Sequence, residues 1–380
     1  MSKDGVAASS AGNKTRAGAT TQLGHYQLLD LLGVGGMAEV FRGRTSGPGG
    51  FERTVVVKRI LPANAADSEF VRMFVAEAKI LGMLHHPNVV QAYDFGEIDD
   101  TLFLVLEYVD GPSLGRVMRA CRTMGQKIPP AIAAHFAHEL CRALDYVHTL
   151  TGGDGEPLRI VHRDVTPSNV VLTATGGLKL LDFGVAKFGA SEAHTQNGTL
   201  KGKPAYLAPE AIKGQAFDHR LDIFAVGVLL HEMLTLNVLF GSDNDLITLH
   251  KVMEQPIPRP SEHDPEVPPA LDAIVMRALE RDPDARYPTA AEMASDLNAF
   301  VVAGQLHSDQ VVAFVRDIQA HLAATTRPKV ATVVSPNAAT AVDTTQEGEG
   351  GPTRRDIGLR FRMSRLGRLL FGGRGRRPRQ

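Results

Sequence analysis

HRDVTPSN, residues 162–169, and DFG, residues 182–184, decide the reading of this chain. The run between them, VVLTATGGLKLL, is strand-like. A lone Asp in such a stretch reads as a turn residue that caps a helix. Two polar signatures framing one extended run outweigh that reading, and they bring Asp164, Asn169 and Asp182 into one short length of chain.

Upstream, YQLLDLLGVGG from Tyr26 and then AEVFRGRT read as extended segments joined by a glycine turn, with TVVVKRIL as a third after GPGG. Gly33 and Gly35 fill the first two positions of GxGxxGxV, and Ala38 stands at the third. A dinucleotide site needs a helix directly after the glycines, whereas AEVFRGRT continues as strand. The hairpin suits a flap over phosphates, because residues with little side chain let backbone N–H groups approach an anion. That flap comprises Leu32, Gly33, Val34, Gly35, Gly36, Met37, Ala38, Glu39 and Val40. Lys58 ends the third run, and Glu77 follows nineteen positions later on DSEFVRMFVAEAKILGML. Phe70, Met73, Phe74, Ile80, Leu81 and Leu84 keep a helical period there, behind Asp67 or Ser68 as cap. Singly, such charges are solvated surface residues. In this order they form a candidate ion pair, with Glu77 fixing the flexible stem of Lys58.

Two more extended runs, VVQAYDFGEI and TLFLVLEYV, precede long helical stretches such as PAIAAHFAHELCRALDYVHTL and LDIFAVGVLLHEMLTL. The order predicts an α+β protein of two lobes. A small antiparallel sheet with one main helix occupies about 25–109, a mostly helical lobe about 110–301, and an extra helix lies within 302–323. Residues 1–24 lack bulky apolar side chains and read as a disordered lead. Residues 324–353 read as a flexible linker and 354–380 as an Arg-rich tail.

With 380 residues and 43% hydrophobic content, the chain can bury one large or two ordinary domains. Cys121 and Cys141 lack metal-ligand or CxxC spacing, so helix packing in a reducing compartment is the simpler reading. The formal net charge of −1 divides unevenly: the tail carries about +9 and leaves about −10 before it. No long apolar run and no signal-peptide core occur, so a soluble, cytoplasmic protein is expected. Leu359, Met363, Leu366 and Leu370 stand at helical spacing among arginines, which suits an anionic membrane surface or an acidic partner; a solvated arm is the alternative. A short basic arm is poor support for nucleic-acid binding, and none is expected.

The glycine loop, strand lysine, helix glutamate, HRDxxxxN, DFG and the APE of GKPAYLAPE (202–210) together resemble, in order, the signature set of eukaryotic-type protein kinases, here the Hanks-type bacterial Ser/Thr kinases. The resemblance implies a bilobal protein kinase-like fold that transfers the γ-phosphoryl group of ATP to Ser or Thr hydroxyls of protein substrates, with autophosphorylation and self-association in trans. It implies Mg²⁺, with Mn²⁺ as alternative, held by Asn169 and Asp182. Asp164 would accept or orient the hydroxyl proton, and Lys58, paired with Glu77, would meet the α and β phosphates. Leu106 to Val109 becomes the hinge, with Leu106 as gatekeeper, backbone groups of Glu107 and Val109 on adenine, and Val40, Val56 and Val171 around the ring. By the same resemblance Glu210 pairs with Arg286, Asp222 braces the catalytic loop, and His162 and Phe183 are supports.

Two departures stand out. The family's HRDLKPxN lysine falls at Thr166 and its GTPxY threonine at Lys203, so the two residue types are exchanged. Lys203 is expected to reach back towards the γ-phosphate with Thr166 as hydrogen-bond partner. Pro167 favours Ser/Thr over Tyr acceptors. Ser191, Thr195 and Thr199 are candidate phosphate acceptors, and Arg163 is the expected partner of such a phosphate. A pseudokinase scaffold is permitted by Thr166 and opposed by the retained Lys58, Glu77, Asp164, Asn169 and Asp182. A small-molecule phosphotransferase is opposed by the segment ending in AYLAPE.

Overall fold

Period-two alternation organises the first lobe of the structure, a computed structural model that describes residues 21–183 and 204–326. Its strands are β1 (Thr21–Leu23), β2 (Tyr26–Val34), β3 (Ala38–Ser46), β4 (Glu52–Ile60), β5 (Ala92–Ile98) and β6 (Thr101–Glu107). They form one antiparallel sheet in the order β1-β2-β3-β4-β6-β5. Phe103 and Val105 of β6 join Leu23, Tyr26, Leu28, Val55 and Val57 in a small cluster on one face. Leu102, Leu104 and Leu106 enter the main core on the other. On β4 the same alternation puts Val56 and Ile60 with the main core, so Lys58 between them shares that face.

Helix α1 (Ser68–Met83) follows β4, and Asp67 is its cap, accepting from Glu69 N at 2.8 Å. Its buried stripe is Met73, Phe74, Glu77, Ala78 and Leu81, a helical repeat that carries one carboxylate among apolar side chains. Strand and helix periodicities therefore aim Lys58 and Glu77 at the same interior space.

The second lobe begins with α2 (Leu114–Met124) and α3 (Pro130–His148), then the hairpin β7 (Val170–Leu172) and β8 (Leu178–Leu180). Helices α4 (Arg220–Thr235), α5 (Asp245–Glu254), α6 (Pro269–Ala278), α7 (Ala290–Ala303) and α8 (Ser308–Thr326) follow, with short helical turns at Pro209–Ile212 and Pro260–His263. Every residue of α4 from Leu221 through Leu234 is buried, the mostly apolar run carrying Asp222, His231 and Glu232 into the interior with it. Helices α3 and α6 pack against it, and α7 packs against α3 and α6. Cys121 and Cys141 are free and buried, and burial pushes both thiols up, Cys121 to about 11.

Two boundaries correct the sequence reading. The lead expected to run to residue 24 gives way at Thr21–Leu23, which pairs with β2; Leu23 and Tyr26 are buried there beside Phe103. The extra helix expected within 302–323 runs Ser308–Thr326, anchored by buried Val311, Phe314, Val315 and Ile318 at helical spacing. The linker and the Arg-rich tail lie outside the described residues.

Glu210 and Arg286 form the expected buried pair, through two contacts of 2.7 Å. The remaining guanidinium donors reach backbone oxygens of Glu280 (2.6 Å), Arg220 (3.2 Å) and Arg281 (3.2 Å), so all five N–H groups are satisfied. Breaking a buried pair strands a charge at a cost of about 3–5 kcal/mol. We expect Arg286→Met to lower the unfolding free energy measured in urea by about that amount, and Arg286→Met with Glu210→Leu to lose clearly less.

Candidate active site

Lys58 Nζ lies 2.6 Å from Glu77 Oε1 and 3.3 Å from Asp182 Oδ1. One ammonium thus ties β4, α1 and the segment after β8. The side chains of Lys58 and Glu77 are 10% and 1% exposed, whereas Asp182 is 45% exposed. Burial pulls the Lys58 ammonium down, but the Asp182 and Glu77 carboxylates outweigh it and hold its pKa above that of free lysine. Burial also pushes the Glu77 carboxyl up against the pull of Lys58. The short contact to a protonated lysine keeps Glu77 an ion-pair partner.

Asp164 is positioned through two neighbours. Asn169 Nδ2 donates to its carboxylate Oδ2 at 2.9 Å and to its backbone oxygen at 3.0 Å. His162 Nδ1 accepts the Asp164 N–H at 3.2 Å, and Nε2 donates to Leu181 O at 2.9 Å. Burial holds His162 below the usual histidine range, consistent with this neutral tautomer. The His162 ring also lies 4.6 Å from that of Phe183. Leu181 N bonds to Asn169 O at 2.8 Å, so the loop and the Asp182 segment are stitched from both sides.

Asp222, at the start of α4, holds this loop from below. It accepts the N–H of His162 and of Arg163 and a bond from His148 Nε2, each at 2.8 Å. Burial would raise its carboxyl, but His148 and the His162 N–H more than reverse that and leave it below the usual carboxylate range. Arg163 and Asp182 both adopt left-handed backbone, with φ of 64° and 39°. Such conformations persist in non-glycine residues only where surroundings over-determine them.

The roof of the site comes from β2 and β3. Leu32 through Gly36 are exposed, Met37 and Glu39 are half-buried, and Glu39 pairs with Arg59 at 2.7 Å. A Cβ on Gly33 would meet nothing within 4 Å, and on Gly35 only the Ala38 oxygen at 3.6 Å. Neither packing nor a positive φ explains glycine there, whereas close approach by a ligand does. Ala38 belongs elsewhere: it is buried in the core, in register with Ile60. Its methyl is accommodated by inward packing, so the small side chain adds no bulk to the exposed side of the loop.

Val40 is in register with Lys58 and Val56 with Leu106, while Val171 stands on β7. Leu106 is buried and Val109 half-buried. The Glu107 N–H is committed to Gln91 O at 2.8 Å, and Glu107 is in register with Val55 of β4. The chain then passes so close to β7 that a Cβ on Gly111 would fall 1.8 Å from Leu172 O, a contact only glycine permits.

Thr166 is buried, and its hydroxyl meets Ser168 Oγ at 3.0 Å. Its expected partner Lys203 lies outside the described residues, as do Gly184, Ser191, Thr195 and Thr199. Arg163 is half-buried with its guanidinium 5.2 Å from the Phe217 ring, and burial lowers its pKa. His148 and Lys179 escaped the sequence reading. His148 closes an amphipathic helix, and Lys179 sits in an ordinary strand; neither position carries a periodic or motif signal.

The sequence model of the protein kinase domain matches residues 26–297. Among curated relatives, the tyrosine-protein kinase MasK of Myxococcus xanthus is 38% identical over 278 residues, 73% of this chain and 43% of that protein. The serine/threonine-protein kinase PknB of Mycobacterium leprae is 37% identical over 278 residues (72% and 42%). PrkC of Bacillus subtilis is 32% identical over 284 residues (75% and 42%). The chain therefore spans about two-fifths of the length of these relatives. The crystal structure of the Mycobacterium tuberculosis PknI kinase domain superposes with a TM-score of 0.54 at 27% identity, covering 75% of this chain and 99% of that one.

Replacing Asp222 by Asn keeps the shape and removes the charge that three donors share. We expect Asp222→Asn to lower stability. Because the folded pKa of Asp222 is depressed, its contribution is complete above the ordinary Asp value of about 4 and is lost as pH falls through the lower folded value. The wild-type-minus-variant difference in unfolding free energy should stay flat from neutral pH to about pH 5 and shrink only below that. A difference that shrinks between about pH 7 and pH 5 contradicts the assignment.

Proposed function

The chain belongs to the protein kinase family, and from that membership we propose that it transfers the γ-phosphoryl group of ATP to Ser and Thr hydroxyls of protein substrates. The observation that carries this reading is the Lys58–Asp182 contact across 124 residues of sequence, with Glu77 behind Lys58 and the Asp164–Asn169 pair on the adjoining loop. Glu77 holds the Lys58 stem so that its ammonium meets the α and β phosphates. Asp164, oriented by Asn169, accepts or directs the proton of the attacking hydroxyl. Gly33 and Gly35 leave room for backbone N–H groups to approach the anion.

The Asp182 carboxylate and the Asn169 amide oxygen are hard ligands that fit Mg²⁺, with Mn²⁺ as the alternative. When bound, the metal supplies charge neutralisation between phosphate oxygens. This chain's own contribution is positioning: one lysine, one base and one roof held in register before substrate arrives. Retention of every one of these groups favours an active enzyme over a pseudokinase scaffold.

The finer parts of the proposal are self-association for trans-autophosphorylation at Ser191, Thr195 or Thr199, with Arg163 as the phosphate's partner; Lys203 acting with Thr166; and the Arg-rich tail on an anionic surface. A cytoplasmic site of action belongs to the same proposal. Among the described residues no helix is long and apolar enough to cross a membrane.

Incubation of the full chain with γ-labelled ATP, Mg²⁺ and a generic protein substrate, followed by phosphoamino-acid analysis, tests this reading. Label should appear on Ser and Thr, and Asp164→Asn should lower the rate by about 10²–10⁴-fold. Label confined to tyrosine would overturn the acceptor class. Nucleotide binding without label in either protein would establish the scaffold instead.

A further inference from the structure

Lys179 stands on β8, three residues before Asp182 and in register opposite Val171. Its ammonium lies 2.8 Å from Glu107 Oε2 and 3.4 Å from Val89 O. The same carboxylate oxygen accepts the Gln91 N–H at 3.2 Å, and the Glu107 N–H returns to Gln91 O at 2.8 Å. Next on the strand, Leu180 N donates to Asn88 O at 2.8 Å and Leu180 O accepts from Val90 N at 3.0 Å. Residues 88–91 thus form a bonded bridge between β8 and Glu107, and Lys179 spans that bridge directly. Its side chain is 17% exposed and that of Glu107 25%, so the pair is partly withdrawn from water.

We propose that Lys179 is a positioning residue for nucleotide: by holding Glu107, it fixes the segment that meets the base relative to the strand that carries Asp182. The inference rests on the ATP reading above. A nucleotide must satisfy a base contact at Leu106 to Val109 and a metal contact at Asp182 with one covalent span, so drift between the two frames weakens binding. Phosphoryl geometry is set by Lys58, Asp164, Asn169 and Asp182, none of which bonds Lys179. Loss of the pair should therefore be felt in binding rather than in turnover.

The test uses the full chain with Lys179→Met, which keeps length without charge, and Lys179→Arg, which restores a cation. Calorimetric titration with Mg²⁺–ADP and steady-state kinetics in ATP are the readouts. For a partly exposed pair, Lys179→Met should raise the Kd for Mg²⁺–ADP and the KM for ATP about three- to ten-fold, with kcat within about two-fold. Lys179→Arg should return both to near wild type. If Lys179→Met does not fold, Lys179→Gln replaces it with the same expectation. Unchanged Kd and KM, a fall in kcat alone, or equal loss in Lys179→Arg would each overturn the proposal. A wild-type chain that binds no Mg²⁺–ADP would instead overturn the ATP reading itself.

Discussion

The Asp222 carboxylate is the interaction on which the catalytic loop depends. It lies in the interior on α4, a helix with no solvent face along most of its length, and it collects the His148 ring and two successive backbone N–H groups. Without it those N–H groups would be buried without partners, at a cost of about 1–3 kcal/mol each. The loop could then relax only by turning away from α4. The left-handed Arg163 makes the dependence sharper, because a side chain in that conformation needs fixed neighbours on both sides. Asp164 inherits its place from this bracing and from Asn169, so its geometry is set by the core of the second lobe.

The sheet lobe is coupled to that frame by a different device. Lys58 is sealed between β4 and α1, and its two carboxylate partners belong to different lobes. A cation with this little exposure is tolerable only because both partners oppose its desolvation. Moving α1 outward would leave Lys58 with Asp182 alone and Glu77 without its lysine in the apolar stripe it shares with Phe74 and Leu81. The electrostatics therefore favour one placement of helix, strand and loop together, and that placement is the one that presents Asp182 to solvent.

Much of this was legible in the sequence because it follows local periodicity or residue order. Alternation on β4 and the stripe on α1 foretell that Lys58 meets Glu77, and Asp67 foretells the helix start. What escaped is interaction between surfaces that no local pattern encodes. His148 finds Asp222 across 74 residues and Lys179 finds Glu107 across 72. β1 is indistinguishable from a lead in the sequence because three residues carry too little apolar signal to show that Leu23 has Tyr26 and Phe103 to bury against. At Ala38 the motif marks a position in the loop but no direction for the methyl, and the packing of β3 beside Ile60 supplies it.

The segment from Leu178 to Phe183 is where these constraints meet. Leu180 is bonded to residues 88 and 90, Lys179 to Glu107, Leu181 to His162 and Asn169, Asp182 to Lys58, and the Phe183 ring lies against His162. So many fixed neighbours explain how a left-handed residue can be held at Asp182. Glycine would adopt that backbone at less cost but brings no ligand. Among side chains that bring a hard oxygen, Asp and Asn are the ones that tolerate the left-handed region best. Backbone demand and ligand demand thus converge on a single residue type, and the negative charge needed by Lys58 selects Asp from the two.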